Sequence, residues 1–414
     1  MNIWLISKYA SLPKYGTGAR LFYLSKEIGN LGHNSLLITS DSNHLAKFPS
    51  TNDRYNFETI EGTSVIWIKT KKYLKTASLD RILSWFDFEW KLFHMPLSKF
   101  AKPEIVIVSS LSIFTIFYGY YLKKKYNTFL VFEIRDIWPL TMTEEAGFNK
   151  YHPLVLFIGF IEKFGYKNAD LIVGTMPRLD LHVKNILGYE RIFYCSPLGF
   201  NSDNYMEKTQ ETSSNSFDFP KDKIIIGYAG SMGITNALES YIECIKLLNI
   251  ENPNIHFVLV GSGDLKSQYV SDLKECSNVT FLPRIIQSEV KYLLANCDIL
   301  YLSAQDSKVW EYGQSMNKVV EYMLAKKPII ARYSGFPSMI DEADCGMIVN
   351  SNNINSIKDA ILSLSLKSPE ERRIIGERGK DWIFKNRKYD KLAAEYLTEI
   401  ERLRSYSKKT FSNA

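Results

Sequence analysis

The chain has 414 residues, 45% hydrophobic and 23% charged, with 22 Gly, 14 Pro and a formal net charge of +6. That length exceeds one ordinary core and points to two domains of about 200 residues. The apolar fraction and the absence of repeats exclude a disordered, fibrous or solenoid chain. Five scattered cysteines with no CxxC pair argue against a disulfide framework or a structural zinc and fit a reducing cytosol.

Charge divides unevenly. Residues 1–200 hold 24 Lys+Arg against 17 Asp+Glu, and residues 201–414 hold 27 against 28. The whole basic excess therefore lies in the first half and suggests an anionic partner for that half alone. No nucleic-acid motif accompanies it, so nucleic acid is not the expected partner. The amino terminus MNIWLISKYA lacks the features of a signal peptide.

In chain order, strands are expected at Ile3–Ile6, Leu36–Thr39, Val65–Ile68, Ile105–Val108, Phe129–Glu133, Leu171–Val173 and Ile192–Tyr194. Helical spacing covers Ala19–Leu31, Leu154–Asn168 and Leu179–Leu187. Ile105–Leu122 is an uncharged run of 18 residues, near the lower limit of a membrane span, but reads better as a strand followed by a helix. Continuously apolar strands imply a parallel sheet between helix layers. Residues 201–222 read as a polar linker. A second series follows, with strands at Ile224–Tyr228, Phe257–Val260, Val279–Leu282, Ile299–Leu302, Ile329–Ala331 and Met347–Val349. The expected fold is α/β, two doubly wound Rossmann-like domains (1–200 and 223–385) facing a central cleft. Residues 386–414 form a closing helix that returns to the first domain, with a frayed tail.

Several motifs carry candidate chemistry. Gly16 and Gly18 precede a helix, where glycines admit a phosphate to backbone amides; a plain strand–helix loop is the alternative. Glu133, Arg135 and Asp136 crowd the end of one strand, where burial of charge needs a partner or a use. Gly230 and Ser231, then Gly261 and Gly263, repeat a strand running into a glycine turn. Together they suggest a nucleotide-phosphate cradle. In the stretch SMNKVVEYMLAKKPII, Ser315 and Asn317 are placed to cap a helix. Lys318 near its start opposes the helix dipole unless an anion binds there, and Glu321 follows one turn later.

The series YGTGAR, FEIRDIWP, PLGFN, GYAGSMG, LVGSGD and SMNKVVEYMLAKKPII resembles the retaining glycosyltransferases of family 4, with the GT-B fold. Within that family it is most similar to bacterial O-antigen or capsule enzymes that are N-acetylfucosaminyltransferase-like. The resemblance implies a nucleotide-diphosphate sugar donor, UDP-linked, and transfer to a polyprenyl-diphosphate-linked saccharide without a metal or other cofactor. It places Gly16 and Gly18 toward the donor, and Arg135 and Asp136 beside the transferred sugar as catalytic residues. Gly230, Ser231 and Lys318 fall on the diphosphate and Glu321 on the ribose. Two departures stand out: Gly313 occupies the position of the family's first paired glutamate, and Ile234–Ala237 lacks its basic residue. Other readings left open are a GT-B nucleotide-sugar epimerase, an NAD-dependent oxidoreductase using Asp41, and an inactive membrane partner of another transferase.

Residues 79–100 crowd aromatics into one helix, with Leu79, Ile82, Leu83, Phe86, Trp90 and Phe93 on one face and Trp85 widening it. Lys71, Lys72 and further lysines surround it. This composition fits either a core helix or one lying in an anionic membrane surface, the latter giving a peripheral protein on the cytoplasmic side of a bacterial inner membrane.

Overall fold

A computed structural model describes residues 1–16, 19–43, 48–73, 78–203, 205 and 217–412. The chain divides into two compact units: Met1–Asn201 with Tyr389–Ala414, and Ser202–Lys388.

Unit 1 is built on an eight-stranded sheet. Its strands are β1 (Asn2–Ile6), β2 (Asn34–Ser40), β3 (Tyr55–Ile60), β4 (Thr63–Ile68), β5 (Ile105–Ser109), β6 (Phe129–Ile134), β7 (Leu171–Gly174) and β8 (Phe193–Cys195), in the order β3-β4-β2-β1-β5-β6-β7-β8. All neighbours pair in parallel except β3 with β4. That antiparallel edge strand corrects the all-parallel expectation. Its sequence YNFETI is half-polar and open on one side, so it lacks the continuous apolar run used to find the others. The helices are α1 (Arg20–Asn30), α2 (Leu79–Phe93), α3 (Thr115–Tyr126), α4 (Leu140–Glu144), α5 (Pro153–Asn168) and α6 (Leu179–Leu187). The uncharged run from Ile105 to Leu122 is β5 and most of α3, and no helix among the described residues is long and apolar enough to cross a membrane.

The C-terminal helix Tyr389–Ser412 packs on α1. It buries Leu392, Ala393, Tyr396, Leu397 and Ile400 in the core around Phe22, Leu37 and Trp67, while Tyr389 stacks on Tyr23 at 5.1 Å. Each large side chain buried in this way contributes about 1.5–3 kcal/mol.

Unit 2 carries a six-stranded parallel sheet of β9 (Ile224–Ala229), β10 (Ile255–Val260), β11 (Val279–Leu282), β12 (Ile299–Ser303), β13 (Ile329–Arg332) and β14 (Gly346–Val349). Their order is β11-β10-β9-β12-β13-β14. Chain order reverses between β9 and β12, and in unit 1 between β1 and β5. Such reversal points open a crevice at the carboxyl ends of the strands, where ligands of doubly wound sheets bind. In unit 2 the core around Ile226, Phe257, Leu259, Ile299 and Tyr301 is fully buried.

Candidate functional site

In unit 2 the candidate site lies at the reversal between β9 and β12. Strand β9 ends at Ala229, whose amide donates to the Tyr322 hydroxyl (2.8 Å), so the helix Asn317–Leu324 is pinned to the strand end. From the first turn of that helix Lys318 reaches back. Its Nζ donates to the Tyr228 hydroxyl (3.2 Å) and to Asn236 Oδ1 (3.1 Å), and lies 4.5 Å from the centre of the Tyr228 ring. Burial pushes this ammonium down to about 8, with Glu321 opposing the shift. A Cβ added to Gly230 would lie 2.5 Å from Lys318 Nζ, so only glycine leaves the lysine its place.

The amides of the first glycine turn are unequally used. Gly230 N–H donates to Val260 and Met232 N–H to Ser262. Among the described residues, the amides of Ser231 and Gly233 donate to no protein group. Ser231 is exposed, and its carbonyl accepts from the Tyr228 hydroxyl. The arrangement offers two free amides, a hydroxyl and one ammonium proton around one turn, the groups an anionic oxygen cluster needs.

The second glycine turn does different work. Gly261 (φ +142°) and Gly263 (φ +157°) lie against the first turn, where a Cβ would meet Gly230 O at 1.8 Å and Met232 O at 2.3 Å. Their glycine identity is required by this close backbone packing. Neither Ser315 nor Asn317 caps the helix: Met316 is the N-cap and no side chain bonds there, so the first-turn amides are not closed off by a cap. Gly313 has φ +113° and donates to Trp310 O (3.1 Å); a glutamate there would be strained. Asn236, in the stretch noted for its missing basic residue, supplies a partner of Lys318 instead. Neither it nor Tyr228 was singled out in the sequence, and only their closeness to the glycine turn could have flagged them. Glu321 lines a mainly apolar pocket of about 270 Å³ with Tyr205, Val290, Leu294 and Leu324.

In unit 1, Gly16 is exposed with φ +118° and its amide donates to Pro13, so the backbone turn requires glycine. Gly18 and Lys75 lie outside the described residues. Of the three charges at the end of β6, Glu133 is a structural partner: the buried Arg20 guanidinium holds its carboxylate at 3.2 and 3.3 Å and also donates to Ser196 and Pro197 carbonyls. Arg135 and Asp136 are half-buried and make no ion pair with each other. One guanidinium nitrogen of Arg135, Nη1, is buried without a partner. Burial raises the Asp136 carboxyl above its ordinary range, with Arg135 opposing, and lowers the Arg135 guanidinium. Asp41, one of three residues with Gly16 and Gly18 that give partial support to NAD, is engaged by the Thr70 amide, the Thr51 hydroxyl and Lys72.

Helix α2 turns its aromatic stripe outward. Phe86 is 53% and Trp90 51% exposed, alongside exposed Leu79, Ile82, Leu83 and Phe93. The core reading of that face is thereby corrected. Trp85 instead points inward and donates to the Tyr9 hydroxyl. On α5, Leu156, Phe157 and Phe160 are also exposed, and Phe114 joins the two faces, its ring 5.5 Å from Phe86 and 6.1 Å from Phe157. Lys71 and Lys72 are not free charges beside this patch, because Asp80 and Asp41 pair them at 2.8 and 2.7 Å. Exposed Lys124 and Lys125 at the end of α3 interleave with Tyr120 and Tyr121.

Residues 209–382 match the family described as "Glycosyl transferases group 1". Two uncharacterized glycosyltransferases of Methanocaldococcus jannaschii are 28% identical over 136 residues and 23% identical over 189 residues. Those matches cover 32% and 44% of this chain and span only 37% and 46% of the relatives. Among solved structures, sucrose-phosphate synthase from Thermosynechococcus elongatus superposes with a TM-score of 0.71 at 15% identity, covering 98% of this chain and 99% of that one. Anabaena HepE in complex with UDP and glucose gives 0.62 at 11% identity, over 96% and 99% of the two chains. The chain has the GT-B fold.

Proposed function

We propose that this protein is a retaining glycosyltransferase of family 4 that moves a hexose or N-acetylhexosamine from a UDP-linked donor. The observation that carries the reading is the Lys318 ammonium, held against Gly230 beside the free amides of Ser231 and Gly233 at the strand reversal of unit 2. The match of residues 209–382 to glycosyl transferases group 1 supports it, as do solved structures of this fold that hold UDP and glucose. Lys318 and these amides would stabilise the charge that grows on the leaving diphosphate, while Glu321 would hold the ribose. Preorganised donors of this kind act without reorganisation at the moment of reaction. The departing phosphate oxygen would take the proton of the acceptor hydroxyl on the same face as the leaving group, giving retention at the anomeric carbon. No resident metal or other cofactor is invoked.

On the acceptor side, Arg135 with its unpartnered nitrogen and Asp136 would sit beside the transferred sugar. The acceptor we propose is a polyprenyl-diphosphate-linked saccharide in O-antigen or capsule synthesis. The outward stripe of α2 would then lie on an anionic membrane surface at the cytoplasmic face, for which the exposed Phe86 and Trp90 are the supporting observation. UDP is expected to raise the melting temperature without added metal, and NAD is not; no shift with any nucleoside diphosphate sinks the reading. A panel of nucleotide sugars with a lipid-diphosphate-linked N-acetylglucosamine then tests transfer. Binding to anionic vesicles that is unchanged in Phe86→Ser/Trp90→Ser would refute the membrane contact.

A further inference from the structure

The reversal between β1 and β5 in unit 1 holds a buried polar group that none of the foregoing uses. Helix α2 presents Arg81, Trp85 and Glu89 one turn apart on its inner side. Arg81 Nε donates to the Tyr9 hydroxyl at 3.4 Å, and Trp85 Nε1 donates to the same oxygen. Both therefore grip the turn that follows β1. Two turns further along, Glu89 is 8% exposed. Its Oε1 accepts from the Ser112 hydroxyl (3.0 Å) and the Thr115 hydroxyl (2.7 Å), at the turn that follows β5. Its Oε2 is buried with no partner. On the same end Lys8 is fully buried, donating to the Ser42 carbonyl (2.8 Å), and its charge opposes the upward shift that burial imposes on Glu89.

A carboxylate is a costly choice for holding a helix, since a neutral amide would accept the same two hydroxyl bonds without burying charge. The turn it holds has a second attachment. Ser110, at the start of the same short 3-10 turn Ser110–Ser112, accepts from the Arg135 amide at 3.0 Å and from the Asp136 amide at 3.4 Å. Its hydroxyl donates to the Asp136 carbonyl at 3.1 Å. Glu89, Ser112, Ser110 and the Arg135–Asp136 backbone thus form one chain of contacts across the ends of β5 and β6.

We propose that Glu89 is a positioning residue, which through Ser112 and Ser110 fixes the loop that carries Arg135 and Asp136. Its catalytic consequence rests on the transferase reading above; the positioning itself does not. The helix that exposes Phe86 and Trp90 on one side is, by its other side, tied to that loop.

Hydrogen exchange of the full-length protein, followed by mass spectrometry on peptides spanning 129–140, separates the two. In Glu89→Ala and in Ser112→Ala, the amides of Arg135 and Asp136 are expected to exchange at least tenfold faster while those of Leu130–Phe132 in β6 keep their rates. Unchanged exchange at 135–136 overturns the proposal, as does acceleration spread evenly over β6, which marks general destabilisation. Should Glu89→Ala fail to fold, Ser112→Ala, which removes the hydroxyl that Glu89 holds, gives the same readout. In the transfer assay with a lipid-diphosphate-linked N-acetylglucosamine, Glu89→Ala is expected to lower kcat at least tenfold with donor KM unchanged. Combined with Ser110→Ala it should lower kcat little further, because both act on one chain. A multiplicative loss refutes the chain, whereas absence of turnover in the native protein counts against the transferase reading and leaves the exchange result standing.

Discussion

Lys318→Ala is the substitution that bears hardest on the proposed donor site. The ammonium carries three protons, and Tyr228 and Asn236 take two of them at 3.2 and 3.1 Å. One proton remains for a ligand oxygen. A single hydrogen bond to a charged group contributes about 1.5–3 kcal/mol, which weakens nucleotide binding about 10- to 150-fold when removed. At a UDP concentration about 100 times the native Kd, the ligand stabilises the native protein by about 2.7 kcal/mol. With the weakened Kd, the same concentration stabilises the variant by only about 0.3–1.3 kcal/mol. Differential scanning fluorimetry with UDP therefore should show the thermal shift cut to less than half. A shift within a fifth of the native one would remove Lys318 from the phosphate site and, with it, the main support for the donor assignment.

The site makes further demands that can be checked together. Gly230→Ala should abolish the UDP shift at little cost in stability, because its Cβ would meet the movable end of Lys318. Gly261→Ala should lower the melting temperature sharply, because its Cβ would meet the Gly230 carbonyl at 1.8 Å in a left-handed backbone; equal effects of the two on stability would refute this assignment. Between pH 7.5 and 9.5 UDP should bind more weakly as pH rises through about 8, where the buried ammonium loses its proton, and isothermal titration of Lys318→Ala should show no such trend. Over about pH 8 to 10.5 the same group should make the ligand-free protein more stable as pH rises, since the unfolded chain still holds the proton that the folded one has released. Arg20→Ala should cost about 3–5 kcal/mol by denaturant unfolding, leaving Glu133 buried and unpaired. Arg135→Ala, which removes a nitrogen already lacking a partner, should leave stability within about 1 kcal/mol and lower turnover instead.

Most of the sheet framework was legible because buried parallel strands read as unbroken apolar runs, as in IIIGYA and IHFVLV. The exception, β3, failed by the same rule: an edge strand open on one side need not be apolar throughout. Helix α2 was misleading for a different reason. A helix normally turns its apolar stripe to the core, yet this one turns Phe86 and Trp90 out and Ser84 and Glu89 in. The spacing of LDRILSWFDFEW fixes which residues share a face and says nothing about which way that face points. Glu89 was therefore lost among aromatic neighbours, although its inward side proves to be the one bonded to the strand ends. Charge counting erred similarly with Lys71 and Lys72, since their aspartate partners are eight or more positions away in sequence and meet them only in the folded unit.

The glycine motifs show most clearly what a sequence pattern leaves open. Gly16, Gly230, Gly261 and Gly263 read as invitations to a phosphate and Gly313 as a lost glutamate, but three different constraints require them. Gly16 and Gly313 are needed for positive φ, and their amides are taken by Pro13 and Trp310. Gly261 and Gly263 are needed because another backbone runs against them. Gly230 is needed because a lysine lies over it, and its amide is taken by Val260. In the first turn, the amides free to meet an anion belong to Ser231 and Gly233, which follow the glycine. Accounting for each donor, more than counting glycines, is what separates a phosphate cradle from a tight turn. By that accounting the first glycine turn of unit 2, with Lys318, offers a cradle, and the glycines of the second turn are required where its backbone runs against the first.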